Sequence, residues 1–201
     1  MSFFPPDPEP SEPEESEFTR PPWWGVPDDE IPATLSLCVL LSVTDHVSIA
    51  LVAADVYRSG VELRFERRLR RLALPLREWN ELSSTFMEDP RHDAPLDPSG
   101  RLRYGLVLSD GQRVYDNQPW FIGTDSTSPP DGYVFARSGG GATGGSRGVE
   151  SSDRLWLWPA PPSGMIELVM QWPATGIEEC RATIDGDQLG ALARQVKTFW
   201  D

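Results

Sequence analysis

Lysine is nearly absent: of the 18 basic residues only Lys197 is a lysine, and the others are arginines. Histidine and cysteine are equally scarce, at two each: His46 and His92, Cys38 and Cys180. None of them stands in an HExxH or CxxC spacing, so no metal site and no cofactor is expected. Two cysteines in 201 residues make no disulfide framework. Cys38 sits among Leu37, Val39 and Leu40, and Cys180 shares a strand face with Ala182 and Ile184, so both read as small core residues with slow, inert thiols. A GxSxG elbow and a GxxxxGK[ST] phosphate loop are both missing, which removes the commonest signals for a serine hydrolase and a P-loop nucleotide site. A long apolar run is missing too. The stretch Ile31 to Ala54 is broken by Thr34, Ser36, Ser42, Thr44, Asp45, His46 and Ser48, and it reads as two strands rather than a membrane span. No basic region followed by an apolar stretch opens the chain, so no signal peptide is read and the cytoplasm is the expected location.

Acid is in excess. The formal charge is −13, which argues against nucleic acid as a partner, because that binding needs Lys and Arg to neutralise phosphates. The excess is uneven: residues 1–30 hold nine acids and one base, and the remaining 171 hold 22 acids and 17 bases. The same 30 residues contain eight of the 20 prolines. Proline removes backbone donors and like charges repel, so 1–30 reads as an extended tail and 31–201 as the folded body. Two apolar islands interrupt the tail, Phe3-Phe4 and Trp23-Trp24-Gly25. Adjacent tryptophans are costly to leave in water, so Trp23 and Trp24 are either a lid folded onto the body or an anchor for a partner. The one basic run, Arg64, Arg67, Arg68, Arg70, Arg71 and Arg77, either pairs with the chain's own acidic tail or docks an acidic partner.

From residue 31 the apolar pattern has period two. Leu35, Leu37, Val39, Leu41 and Val43 alternate with smaller or polar residues, Val47–Tyr57 continues the pattern, and Val61–Glu66 repeats it after Arg58-Ser59-Gly60. These segments predict an antiparallel meander, with a bulge or strand exit at Arg67-Arg68. A short helix is expected over Pro75–Phe86, followed by a polar loop to Gly100. Leu102–Ser109 and Arg113–Tyr115 flank the hairpin signal Asp110-Gly111. Tyr133–Ala136 is a further strand, and Ser138–Gly148, with six glycines, reads as a flexible insertion. Arg154–Pro159 and Met165–Trp172 are expected to form a hairpin, followed by a strand over Ile177–Ile184. Asp185 should cap a terminal helix with Leu189, Leu192, Val196 and Phe199 on its buried stripe and Lys197 near its negative end. So many short strands predict an all-β, antiparallel sandwich, immunoglobulin-like or jelly-roll-like, with a short helix and a C-terminal helix.

Several motifs recur in one order: Trp23-Trp24-Gly25 ahead of acids and Ile31-Pro32, the polyglycine stretch, Leu155-Trp156-Leu157-Trp158-Pro159-Ala160-Pro161-Pro162-Ser163-Gly164, and Gln171-Trp172-Pro173 with Gly176-Ile177. In these motifs the chain resembles an uncharacterised family of actinobacterial cytoplasmic proteins. The resemblance implies no activity. From the residues themselves, the expected function is a non-enzymatic binding or assembly protein whose partner is another protein or a second copy of this chain. The alternative is a small-ligand or hydrolytic site built from loop residues, for which Asp45, His46, His92, Asp93 and Asp125 are the candidates.

Overall fold

Alternation along the chain becomes strands wherever one face can be buried. The computed structural model describes residues 20–87, 100–116 and 128–200. Its elements run β1 (Glu30–Ile31), β2 (Ala33–Val43), β3 (Val47–Val56), β4 (Val61–Arg70), α1 (Leu76–Met87), β5 (Arg103–Val107), β6 (Arg113–Tyr115), β7 (Val134–Gly144), β8 (Gly148–Trp158), β9 (Met165–Trp172), a 3₁₀ turn (Pro173–Thr175), β10 (Ile177–Asp185), α2 (Gly186–Ala193) and β11 (Lys197–Thr198). Five strands form one antiparallel sheet in the order β2-β3-β4-β8-β7, four form a second in the order β10-β9-β5-β6, and β1 pairs with β11. The protein is an all-β antiparallel sandwich with a C-terminal helix. Ile49, Leu51, Leu63, Phe65 and Leu155 from the first sheet share one core with Leu106, Ile166, Leu168 and Trp172 from the second. β2 leans on β10 and β6 on β7, so the two sheets meet along both flanks.

The meander β2-β3-β4 stands where the alternation placed it. Its bulges do not. They fall in the β2–β3 ladder, between Ser36 and Val39 and between Leu40 and Ser42, and at Leu51/Ala53 of the β3–β4 ladder. β4 runs unbroken through Arg67 and Arg68 to Arg70 against β8. The reason is on the inner face. Cross-strand register sets Arg67 opposite Ser151 and next to Asp153, so a charged residue keeps an inward position because its counter-ion is already there. Arg67 Nε lies 2.7 Å from Asp153 Oδ2, and its Nη2 donates to Asp153 Oδ1 at 3.0 Å and to Ser151 Oγ at 3.0 Å. Nη1 donates to the Phe86 carbonyl at 2.8 Å, and the guanidinium carbon sits 5.1 Å from the Phe86 and Trp172 ring centroids. Asp153 also accepts from the Tyr104 hydroxyl of β5 at 3.1 Å. One buried ion pair therefore ties β4, β8, β5 and α1 together.

Three further expectations are corrected. The glycine-rich stretch is no flexible insertion but most of β7 and the turn into β8, paired along its length from Gly139↔Arg154 to Gly144↔Val149. Glycine is required at 140, where φ is +152° and a Cβ would meet the Ser152 carbonyl oxygen at 2.5 Å. The segments 154–159 and 165–172 do not form a hairpin. β8 and β9 lie in opposite sheets, and the proline-rich link between them crosses from one to the other, its prolines offering no N–H for a ladder. The terminal helix is shorter than its apolar stripe. Asp185 caps it as expected, accepting from the backbone N–H groups of Asp187 and Gln188 at 2.9 and 3.2 Å, and the Gln188 side-chain hydrogen bond holds its carboxyl below the usual range. After Ala193 the chain leaves the helix. Val196 is buried, Lys197 pairs in β11 with Ile31, and Phe199 is 57% exposed.

Cys38 is not a core residue. A β-bulge gives it φ +52° and turns it outward, where it is exposed. Cys180 is half-buried, its Sγ donates to the Met170 carbonyl at 3.4 Å, and burial pushes its pKa up. A thiol reagent added to the native protein is expected to label Cys38 fast and Cys180 slowly, and Cys38→Ser is expected to remove the fast phase. Two equally slow thiols would return Cys38 to the core. For the ion pair, Arg67→Ala is expected to cost about 3 kcal/mol or more in urea denaturation, because it leaves a buried carboxylate with only the longer Arg137 contact at 3.7 Å. Arg64→Ala, on the partly exposed outer face, is expected to cost under about 1 kcal/mol.

Candidate functional site

The arginines adjacent in sequence are separated by strand parity. Arg67 points into the core, while Arg64 and Arg68 lie on the outer face of the five-stranded sheet, where carboxylates meet them. Arg64 Nε is 2.9 Å from Asp55 Oδ2, and Asp55 Oδ1 accepts the Thr34 hydroxyl at 2.6 Å. Arg68 Nη1 donates to Glu66 at 2.7 Å and its Nη2 is 3.8 Å from Glu150. Beside them, buried Glu62 accepts the Ser138 hydroxyl at 2.6 Å and faces Arg154 at 3.6 Å. The middle of this face is thus a lattice of matched charges.

Its far end is not. Arg70 Nε donates to the Asp45 carbonyl at 2.7 Å, and the His46 Nδ1 is 3.1 Å from the Arg70 carbonyl oxygen. Thr44 shapes that turn, its hydroxyl accepting from the His46 and Val47 amides at 3.3 and 2.9 Å. The backbone N–H of Arg71 donates to the Arg147 carbonyl at 3.0 Å, and its Nε donates to the Leu74 carbonyl at 3.1 Å. Among the described residues no carboxylate pairs with Arg70, Arg71 or Arg147. A hollow of about 630 Å³ opens between Arg71–Leu74 and Ser146-Arg147, and a second of about 450 Å³ lies beside it, along Arg68–Arg70 and Thr143-Gly144. Leu72 forms the rim with φ +48° and 61% exposure. A leucine in the left-handed region is uncommon, and such strain collects at places that bind.

Of the residues marked from the sequence, Arg70, Arg71, Asp45 and His46 meet at this end. Arg68 lines the second hollow but is paired with Glu66 and Glu150, and Arg64 and Arg67 do not share this end. His92, Asp93 and Asp125, like residues 1–19, lie outside the described residues. Among the described residues no group of three His, Cys, Asp or Glu side chains is placed to hold a metal. Arg147 went unmarked in the sequence because its surroundings read as a flexible loop. The β4–β8 ladder, which sets Arg70 opposite Gly148, is what carries it to Arg71. Guanidinium groups stay charged at any physiological pH and offer planar forks of donors, so this end is equipped to bind anionic groups, not to move protons.

The tryptophans are at the opposite end of the sheet. Trp23 is buried with its ring centroid 5.6 Å from that of Trp158, Trp24 is half-buried, and the Trp156 indole donates to the Pro22 carbonyl at 2.9 Å. Residues 20–25, assigned to the tail from sequence, cover this part of the sheet, and Arg20 is tied to Asp28 just beyond them at 2.7 Å. Under the cover, the Tyr57 ring meets Trp156 edge-on at 5.6 Å. Burial, then the nearby Glu62 and Asp55, push the Tyr57 pKa up to about 12.

Compared with known protein families, with curated proteins and with solved structures, the chain matches none. No helix among the described residues is long and apolar enough to cross a membrane. The functional reading therefore rests on the geometry.

Alkaline stability tests the covered end. Tyr57 ionises near pH 10 in the unfolded chain and at about 12 in the folded protein, so the unfolded state releases its proton first. Stability should be intact below about pH 10 and fall as pH climbs from about 10 to 12. Buried Tyr104, also raised by burial and by Asp153, adds to the same slope. Urea melts across this range should show a shallower fall for Tyr57→Phe, and an unchanged slope would place Tyr57 in solvent.

Proposed function

We propose that the protein is a non-enzymatic binding module that docks an acidic segment of another protein at the Arg70, Arg71 and Arg147 end of its five-stranded sheet. One observation carries the reading. Arg64, Arg67, Arg68 and Arg154 of this sheet each meet a carboxylate, whereas these three arginines border two hollows with no carboxylate partner among the described residues.

The chemistry of the partner follows from the surroundings. Exposed Leu72 and half-buried Leu74 supply apolar contacts beside the cations, which suits a segment that mixes acids with apolar residues. The chain as a whole is strongly acidic, so its long-range field repels such a partner. Recognition must be local. At physiological salt the screening length is about 8 Å, short enough for three clustered arginines to govern what they touch.

Fluorescence anisotropy with a short labelled peptide of glutamates and two phenylalanines tests this. Saturable binding that weakens with added salt is expected. Arg71→Ala with Arg147→Ala should weaken it by about tenfold or more, while Arg77→Ala, which only breaks an exposed pair with Glu81, should leave it unchanged. Equal affinity in the double variant would refute the assignment.

A further inference from the structure

The outer face of the four-stranded sheet carries a separate trough. Cross-strand register sets Tyr115, Gly105, Val169 and Arg181 in one row across β6, β5, β9 and β10, with Arg113, Val107 and Glu167 in the next. The space above them is about 340 Å³, within the range of small-ligand sites. Its floor is flat because residue 105 has no side chain. A Cβ there would come within 3.4 Å of Tyr115 Cδ1, so the ring leans across the glycine while staying 52% exposed. One wall is a preorganised polar group. Arg181 donates from Nη1 to Glu167 at 2.8 Å, and from Nη2 and Nε to Glu179 at 2.7 and 3.0 Å. At the end of the second row stands Arg113, exposed and without a carboxylate partner among the described residues.

Each part selects for a different portion of one ligand. A flat floor edged by an aromatic ring takes the C–H face of a saturated ring. A carboxylate–guanidinium–carboxylate array alternates acceptors with donors, as neighbouring hydroxyls do, because each hydroxyl both donates and accepts. An unmatched guanidinium takes a carboxylate by its planar fork. The trough runs across all four strands rather than along one of them, so strand addition by a peptide would not fill it.

We propose that this trough binds a hexuronate, with the sugar ring over Gly105 and Val169 against Tyr115, its hydroxyls on Glu167, Arg181 and Glu179, and its carboxylate on Arg113. The site is independent of the arginine cleft. The same chemistry is presented by a free hexuronic acid and by a hexuronate within a glycan, and a row across four strands spaced about 4.8 Å apart, longer than one sugar ring, favours the glycan.

Isothermal titration calorimetry of the full chain with a galacturonate tetramer, monomeric galacturonate and a neutral galactose tetramer tests the proposal. The acidic tetramer is expected to bind saturably and more tightly than the monomer, and the neutral tetramer much more weakly. Arg113→Ala and Tyr115→Ala, both at exposed positions, should each weaken the acidic tetramer by about tenfold, the scale of one charge-assisted or stacking contact. Arg147→Ala should change nothing, which separates this site from the arginine cleft. The proposal is overturned by no saturable binding, by equal binding of the neutral tetramer, or by a loss that follows Arg147 instead of Arg113. Tighter binding of the monomer would overturn the glycan as the source.

Discussion

A buried guanidinium holding a buried carboxylate organises this sandwich. Arg67 and Asp153 are 3% and 4% exposed, and the cost of removing both charges from water is offset only because their hydrogen bonds are nearly complete. The bonds join β4 to three other elements. Asp153 sits on β8, Tyr104 on β5 of the other sheet, Ser151 again on β8, and the Phe86 carbonyl at the end of α1. A shift of β4 by one residue would turn Arg67 out and leave Asp153 with only the Arg137 guanidinium, 3.7 Å away. The pair thus selects one register for the β4–β8 ladder from those that an alternating pattern allows.

That register has consequences on the opposite side of the same strands. With odd residues of β4 directed inward, Glu62, Arg64, Glu66 and Arg68 face out and meet Asp55, Glu150 and Arg154 from β3 and β8. Charges of both signs end up interleaved, and most cancel. The cancellation stops where β4 ends, because the chain turns at Arg71 and the partner strand arrives through the glycine hairpin, which brings Arg147 and no acid. That these cations have no carboxylate partner among the described residues is a product of sheet geometry at a strand end.

The two proposed sites divide the molecule by chemistry. At the end of the five-stranded sheet, arginines with no carboxylate partner among the described residues stand beside Leu72 and Leu74, a surface suited to an acidic, partly apolar chain. On the outer face of the four-stranded sheet, polar groups are held in place by one another around a small apolar floor, a surface suited to a small polyhydroxylated ring. Neither lies at the tryptophan cover, where Trp23 meets Trp158 at a tilt of 56° and Trp156 is tied to Pro22, so the aromatic segment ahead of the body contributes packing in this structure.

By itself the sequence determined what local physics controls. Period-two hydrophobicity marked the meander from Ala33 to Glu66 and the later strands, Asp185 marked its helix start, and the pattern as a whole marked an antiparallel sandwich. These depend on neighbours a few residues apart. Tertiary structure alone decided which strand pairs with which. Arg67 and Asp153 are separated by 86 positions, so nothing near Arg67 in the chain could show that an inward arginine would find a counter-ion. The glycine stretch has no side chains to advertise a strand and becomes one only because β8 is present to pair with it. The segments around 158 and 165 look like hairpin partners by spacing, yet a proline-rich link sends them to different sheets. The site was half visible for the same reason. Arg70 and Arg71 are contiguous and could be marked, whereas Arg147, 76 residues beyond Arg71, reaches them only through the β4–β8 ladder.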